Sequence, residues 1–372
     1  MRWAEDSTNR LSRHPKSRTA TRWGSASTRS HTIAAPLFGV PCGDELPDKR
    51  VVSIAPVHPP PDTTIHSRCA QSLLTSLARM STPSKAPRAN SSAPISSRDN
   101  RWLKEFRMAL RGGLPTESGA VGVEGPRLVE EALRSACPIR AVLYSESGER
   151  HHARLAPYLD REEVSIPVLH TTDRLFAGIA DTESPQGVAA LATPRSFTME
   201  EILVAGEGCS SPLILVLVGV QDPGNVGTIL RSASAFGATA AITAASGQSA
   251  TASPFAPKAL RASAGAALHL PVLAGHAALA AIEQLRAAGI YVMATSSREA
   301  LGSGQPLLTP WQVNWCRPVA LLIGNEGQGL PEEIERTADA RIRIPIASAV
   351  ESLNAAAAAA VLFYEAARQR AS

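Results

Sequence analysis

The stretch Leu213–Ala233, LILVLVGVQDPGNVGTILRSA, decides the fold. Its first eight residues, Leu213 to Val220, form a continuous aliphatic run. Strands that alternate apolar and polar residues face water on one side, so an unbroken run of this length reads as a parallel strand covered on both faces. Asp222-Pro223-Gly224 is a turn signal, and Asn225 stands where it can cap a following helix. Arg231 then falls in the second turn of that helix, among Ile229, Leu230, Ala233 and Phe236. A cation in so apolar a setting needs a partner or faces a cleft. A buried strand, a polar turn and a helix make the repeating unit of an α/β sheet.

Working outward, the same alternation continues to the end of the sequence. Further strands are expected at Ala240–Thr243, Ile290–Ala294, Val319–Ile323 and Arg341–Pro345, with a last helix from Ser352 to Arg370. Two more strand-end loops stand out. Ile323-Gly324-Asn325-Glu326-Gly327-Gln328-Gly329-Leu330-Pro331 carries three glycines, which lets the backbone approach a ligand closely. Neither a Walker A sequence nor GxGxxG is matched, and Glu326 would repel a pyrophosphate. The third loop runs from Ile344-Pro345-Ile346 to Glu351-Ser352-Leu353-Asn354 and six alanines, with Ser352 as the expected helix cap. The alanines let that helix approach a neighbour closely, or serve only as good helix formers.

Before this unit, residues 98–195 predict a smaller α/β module. A helix carrying Trp102, Leu103, Phe106, Met108 and Leu110 ends at Gly112-Gly113. Strands at Ala120–Val123, Ile139–Tyr144, Val164–Leu169 and Gly187–Leu191 alternate with helices at Arg127–Ser135, His152–Leu159 and Thr172–Gly178. Arg101, Lys104, Arg107 and Arg111 form either a basic stripe for phosphates or a solvated face. His151-His152 reads as a solvated helix start, since adjacent residues on a helix do not share a face. Residues 196–210 form the linker, with GEGCSS at its end.

The first 97 residues differ in kind. Of the 372 residues, the first 100 hold 14 Lys+Arg against 7 Asp+Glu, whereas the remainder holds 23 against 26. The net charge of +4 therefore belongs to the tail. Rich in Ser, Thr and Pro, that stretch lacks the apolar surface to offset its ordering entropy, so disorder is expected. A basic nucleic-acid-binding arm, an organellar transit segment and an over-extended gene start with translation from Met80 all fit it. The sequence has no run of about 18 apolar residues, which excludes a membrane-spanning helix. Cys42, Cys69, Cys137, Cys209 and Cys316 lie far apart without His at ligand spacing, which argues against a zinc site, any other metal centre and a disulfide scaffold.

Taken in order, NVGTILRSA, IGNEGQGL and IPIASAVESLNAAAAA make residues 211–370, within a domain expected at 211–372, resemble the SpoU (TrmH-type) RNA 2′-O-ribose methyltransferases of the SPOUT class. Residues 98–195 look like the small substrate-binding module that often precedes that catalytic domain, with VEGPRLVEEAL as the clearest phrase. The resemblance implies a trefoil-knotted α/β domain, a homodimer with active sites at its interface, and S-adenosylmethionine as methyl donor. It places Gly324, Ile344, Leu353 and Thr295 in the cofactor pocket. It gives Asn225, Arg231, Glu326, Ser352 and Asn354 the catalytic and substrate positions. It further implies a cytoplasmic enzyme acting on RNA. The preceding module points to rRNA of the large subunit rather than tRNA.

The reaction so implied is attack of a ribose 2′-hydroxyl on a sulfonium methyl, which demands that a weak nucleophile be oriented and its proton removed or shared. The family assigns proton removal to the arginine at position 231. A guanidinium is effectively always protonated, so a phosphate clamp that polarises the hydroxyl is the alternative role. A tRNA 2′-O-methyltransferase, a catalytically silent RNA-binding protein of the same fold and an NAD-dependent oxidoreductase are the competing functions. The last lacks its glycine fingerprint.

Overall fold

The computed structural model describes residues 93–159, 166–204, 211–297, 304–347 and 352–371. Residues 1–92 of the expected tail, residues 205–210 of the linker expected at 196–210, the start of the strand expected at 164 and residues 348–351 of the third loop lie outside the described residues. Two expected boundaries are corrected: the Ile95 amide donates to His170 O at 2.7 Å, which ties the end of the tail to the first sheet, and Met199–Val204 of the linker is a helix that buries Met199 and Ile202.

Among the described residues, the first sheet has four strands, β1 (Val121–Glu124), β2 (Ile139–Ser145), β3 (Val168–Thr171) and β4 (Val188–Ala192), in the order β1-β4-β2-β3. β4 runs antiparallel to both β1 and β2, while β2 and β3 are parallel. One face is covered by α1 (Arg101–Leu110) and α4 (Asp173–Ala177), which bury Leu103, Phe106, Leu110 and Phe176 against Ala141, Leu143, Ala189 and Leu191. α1 begins where Asn100 accepts a hydrogen bond from the Trp102 amide at 2.9 Å. Its basic stripe is partly engaged, Arg101 pairing with Glu105 and Lys104 with Asp99. On the opposite face lie α2 (Pro126–Arg134) and α3 (His152–Leu159).

Among the described residues, seven parallel strands form the second sheet, in the order β7-β6-β5-β10-β8-β11-β9. They are β5 (Leu213–Val218), β6 (Ala240–Ala245), β7 (Val272–Ala277), β8 (Tyr291–Thr295), β9 (Leu307–Leu308), β10 (Val319–Ile323) and β11 (Ala340–Ile342). The aliphatic run of β5 is explained by its two covered faces. Leu213, Leu215 and Leu217 join one core with α6 (Pro223–Ala235), α7 (Pro257–Ala262) and α11 (Ala355–Arg370). Ile214, Val216 and Val218 join another with α5 (Met199–Val204), α9 (Ala278–Ala287) and α10 (Glu332–Thr337). β7 and β9 are edge strands that carry too little apolar pattern to be read from sequence. They and the helices α7 and α8 (Ala266–His269) extend the expected set.

α11 packs along α6 through Ala356, Ala359, Leu362, Phe363 and Ala366, so its alanines do serve close approach. Its far end is tied down by Arg370, whose guanidinium donates to the carbonyls of Ser211, Pro212, Trp315 and Arg317 at the start of β5 and β10. The two sheets share one core. Val123 and Tyr144 of the first, with Leu128 and Val129 of α2, belong to the same buried cluster as Leu215 of the second and Leu260 and Leu268 of the helices α7 and α8. Polar contacts reinforce the seam, namely Cys137 Sγ to Leu268 O at 3.6 Å, Arg261 to Asp181 at 2.7 Å and His269 to Glu131 at 3.1 Å.

Candidate active site

In an open parallel sheet, ligands bind beyond the carboxyl ends of the strands. Here the ends of β8, β10 and β11, with the segment entering α11, enclose a cleft of about 510 Å³. All four residues expected to hold a cofactor line it: Thr295 at the end of β8, Gly324 after β10, Ile344 after β11, and Leu353 before α11. Glu326 and Ser352 also line it. Thr295 is fixed by donating its hydroxyl hydrogen to Leu322 O at 2.9 Å.

The floor is the loop Gly324–Leu330, which folds back on itself. Asn325 and Gly329 exchange backbone hydrogen bonds at 3.1 and 2.9 Å. Gly324 sits so close beneath the returning strand that a Cβ there would lie 2.4 Å from Gly329 C and from Leu330 N. Backbone atoms cannot move aside as a flexible side chain would, so glycine is required at 324. Asn325 holds the hairpin shape. Its Nδ2 donates to Gly219 O at 3.0 Å, across from the end of β5, and its Oδ1 accepts from the amides of Gly327 at 2.9 Å and Gln328 at 3.3 Å. Sequence reading did not single this residue out. The signal was an Asn inside a glycine-rich turn, where its side chain can bond the backbone two residues on.

Three of the five expected catalytic residues form one chain of hydrogen bonds. Asn354 Oδ1 accepts from the amides of Ala356 at 2.8 Å and Ala357 at 3.4 Å, capping α11. Asn354 Nδ2 donates to Asn225 Oδ1 at 3.4 Å, and Asn225 Nδ2 donates to Glu326 Oε1 at 2.9 Å. Every donor points the same way, so the carboxylate of Glu326 lies at the accepting end of a relay that starts at a helix N-terminus. The cap of α11 is therefore Asn354 and not Ser352, which leaves the exposed Ser352 free to face the cleft.

The other cap expectation is corrected too. Asp222, not Asn225, caps α6, its Oδ2 accepting from the Asn225 amide at 3.2 Å. Pro223 occupies the first helical position, where its missing N–H costs nothing. The Asp immediately before that proline was the signal. With its cap role taken by Asp222, Asn225 can turn its side chain to Glu326 and Asn354. Lys258 of α7 bonds Asp222 Oδ1 at 2.5 Å and holds that carboxyl below the usual carboxylate range. Since α6 starts at Pro223, Arg231 lies in its third turn rather than its second. It is exposed and, among the described residues, has no hydrogen bond or ion pair. Within one copy of the chain it is not brought to the cleft.

Two family models match the chain, the SpoU rRNA Methylase family over residues 212–364 and an MRM3-like substrate binding domain over residues 116–190. An uncharacterised tRNA/rRNA methyltransferase of Synechocystis is 31% identical, the alignment covering 76% of this chain and 97% of that protein. The 23S rRNA (guanosine(2553)-2′-O)-methyltransferase RlmP of Bacillus subtilis is 30% identical, with 73% and 97% covered. Among solved structures, the AdoMet-bound rRNA methyltransferase of Sinorhizobium meliloti superposes with a TM-score of 0.60 at 29% identity, covering 74% of this chain and 97% of that one. The SpoU methyltransferase AviRb of Streptomyces viridochromogenes in complex with AdoMet gives 0.60 at 28% identity, with 73% and 99% covered. With the parallel sheet, the glycine-floored cleft and near full-length coverage of these relatives together, the chain belongs to the SpoU rRNA methylase family.

Proposed function

We propose that this protein transfers a methyl group from S-adenosylmethionine to a ribose 2′-hydroxyl of 23S rRNA. The single observation that carries the reading is the adjacency of the cleft and the relay, with Glu326 belonging to both. The named relatives supply the substrate class, since RlmP and further relatives are 23S rRNA 2′-O-methyltransferases.

The residues present fit the cofactor. Ile323, Ile342, Ile344 and Leu362 offer apolar walls for a flat adenine ring, and the close-packed Gly324 leaves backbone atoms rather than side chain to meet it. Thr295, Gly324, Ile344 and Leu353 are the residues we assign to holding it. When bound, it supplies an electrophilic methyl on a positively charged sulfur. The chain's own residues must then orient the hydroxyl and deal with its proton. Asn225 fixes one oxygen of Glu326, leaving the other free to accept from a ribose hydroxyl. Ser352, exposed in the cleft wall, can donate to or accept from the same sugar.

Arg231 is assigned to the phosphate beside the target ribose, as a clamp that polarises the hydroxyl. Its exposed position fits best if it serves a site completed by a second copy. We accordingly propose a homodimer built on α6 and α11. Val361, Tyr364 and Leu353 are exposed on and beside α11, and the Phe236 and Tyr364 rings meet edge to face 5.7 Å apart. The segment from β11 into α11 is proposed to thread the loop after β10 as the knot of this class. We further propose a cytoplasmic enzyme of two parts, 98–195 binding RNA and 211–372 catalysing transfer, with residues 1–79 dispensable. No described helix is long and apolar enough to cross a membrane.

The experiment is methyl transfer from labelled S-adenosylmethionine to total RNA, with mapping of the labelled nucleotide and Arg231→Ala as control. Label at a ribose of 23S rRNA, lost in the variant, is expected. Label confined to tRNA would move the substrate. Failure to bind the cofactor would overturn the reading altogether.

A further inference from the structure

A second and larger cleft, about 790 Å³, lies away from the cofactor cleft, at the seam of the two sheets. On one side it is formed by the start of α2, with Gly125, Pro126 and Arg127, and by His151 and Arg154 at the start of α3. Arg261 of α7 forms the other side.

Its chemistry is that of a polyanion site. Arg127 is exposed and, among the described residues, has no hydrogen bond or ion pair. The start of α2 has no side-chain cap, because Gly125 holds the cap position at φ 96°, a conformation open to glycine. Arg261 Nη2 pairs with Asp181, but its Nη1 is buried with no partner among the described residues. Arg154 pairs with Glu130. Both pairs are partly exposed, and such pairs are worth at most about 1 kcal/mol, so a phosphate can take the carboxylate's place. The carboxylates in the cleft wall are already committed. Glu124 accepts from the amides of Asp181 and Thr182, and Glu131 pairs with Arg134 and His269. His151 reports the local field: partial burial, then the charges of Arg150 and Arg154, push its imidazole below the ordinary value.

The cleft also connects to the reacting centre. One turn before Arg261, on the same face of α7, Lys258 reaches Asp222, which caps α6 at Asn225. Basic groups therefore run from Arg127 and Arg154 through Arg261 and Lys258 to the residue that holds Glu326.

We propose that this seam cleft holds the phosphate backbone of the substrate RNA, upstream or downstream of the target ribose, with Arg127, Arg154 and Arg261 as phosphate ligands. The proposal rests on the methyltransferase reading for the identity of the polyanion. It makes the small sheet and α7 joint owners of RNA affinity, separate from the residues that act on the methyl group.

The test uses the full chain and an unmodified 23S rRNA transcript. Arg127→Glu and Arg261→Gln are compared with wild type in filter binding over a range of salt, in cofactor calorimetry and in methyl transfer. Arg127→Glu is expected to weaken RNA binding at least tenfold and to flatten the slope of log affinity against log salt by about 0.7 to 1. For Arg127→Glu, KM for RNA should rise, with cofactor affinity and kcat at saturating RNA within twofold of wild type and the melting temperature unchanged. Unchanged RNA affinity and salt slope in both variants overturn the proposal. So does polyglutamate competing as well as RNA, which would point to an acidic protein surface. A wild-type protein that binds RNA through Arg127 yet transfers no methyl overturns the function and leaves the cleft standing. One that binds no RNA overturns both.

Discussion

Replacing Asn325 by Ala removes three side-chain hydrogen bonds at once, those to Gly219 O at 3.0 Å and to the amides of Gly327 and Gln328 at 2.9 and 3.3 Å. A hydrogen bond contributes a net of about 1 kcal/mol, the 3.3 Å contact less. The folded-back loop therefore loses about 2 kcal/mol, equivalent to roughly a 30-fold change in its closed population. Because Gly324 to Gly329 line the cleft, that loss should appear as a weaker cofactor site rather than as global unfolding. Calorimetric titration with S-adenosylmethionine should show Kd raised by up to about 30-fold. Should Asn325→Ala bind the cofactor within twofold of wild type, or lower the melting temperature without touching Kd, the argument that Asn325 shapes the site is wrong.

Gly324→Ala drives a methyl group to within 2.4 Å of Gly329 C and Leu330 N, and calorimetry should find no measurable cofactor binding in an otherwise folded protein. Glu326→Gln keeps an oxygen for Asn225 Nδ2 but removes the charge, so methyl-transfer kinetics should show kcat down by roughly 100-fold with KM for the cofactor little changed; wild-type kcat would clear Glu326 of any proton-handling role. Tyr144→Phe deletes a buried hydroxyl that has no hydrogen-bonding partner among the described residues, and denaturant titration should find it about 1 kcal/mol more stable. The same tyrosine gives a pH signature. Burial, and then the charge of Glu149, push it up to about 12, so its contribution is fully present below the ordinary tyrosine value and is lost as pH climbs through about 12. The wild type should lose stability relative to Tyr144→Phe across that alkaline window, and parallel curves would exclude it.

The parallel core was legible because burial on both faces writes itself as unbroken aliphatic sequence, and β5 and β10 stand close to where Leu213–Val220 and Val319–Ile323 led one to expect them. β7 and β9 were not, since edge strands bury little and their pattern carries no signal. Among site residues, Gly324, Ile344, Leu353 and Thr295 were found through motif resemblance, and they do converge on one cleft. Caps were harder. Asn225, Asp222, Ser352 and Asn354 are all good N-cap types, and only three-dimensional neighbours decide which caps and which is freed. Arg231 shows the opposite case. Its apolar sequence neighbours suggested a cation that needs a partner or faces a cleft, but on a helix the residues before and after it point elsewhere, and within one copy of the chain it faces outward.

The shared core beneath the two sheets has a consequence for how the protein can be taken apart and how it evolves. Val123 of the small sheet and Leu128 and Val129 of the helix packed on it share a single buried cluster with Leu215, Leu260 and Leu268. A chain cut within 205–210 would leave both halves with a raw apolar wall and stripped of the Arg261–Asp181 and His269–Glu131 bonds. The two segments that read as separate modules in sequence should therefore melt in one transition. Swapping the small sheet for that of another family member, to redirect the enzyme to another RNA, would succeed only if the surface of α7 and α8 travelled with it.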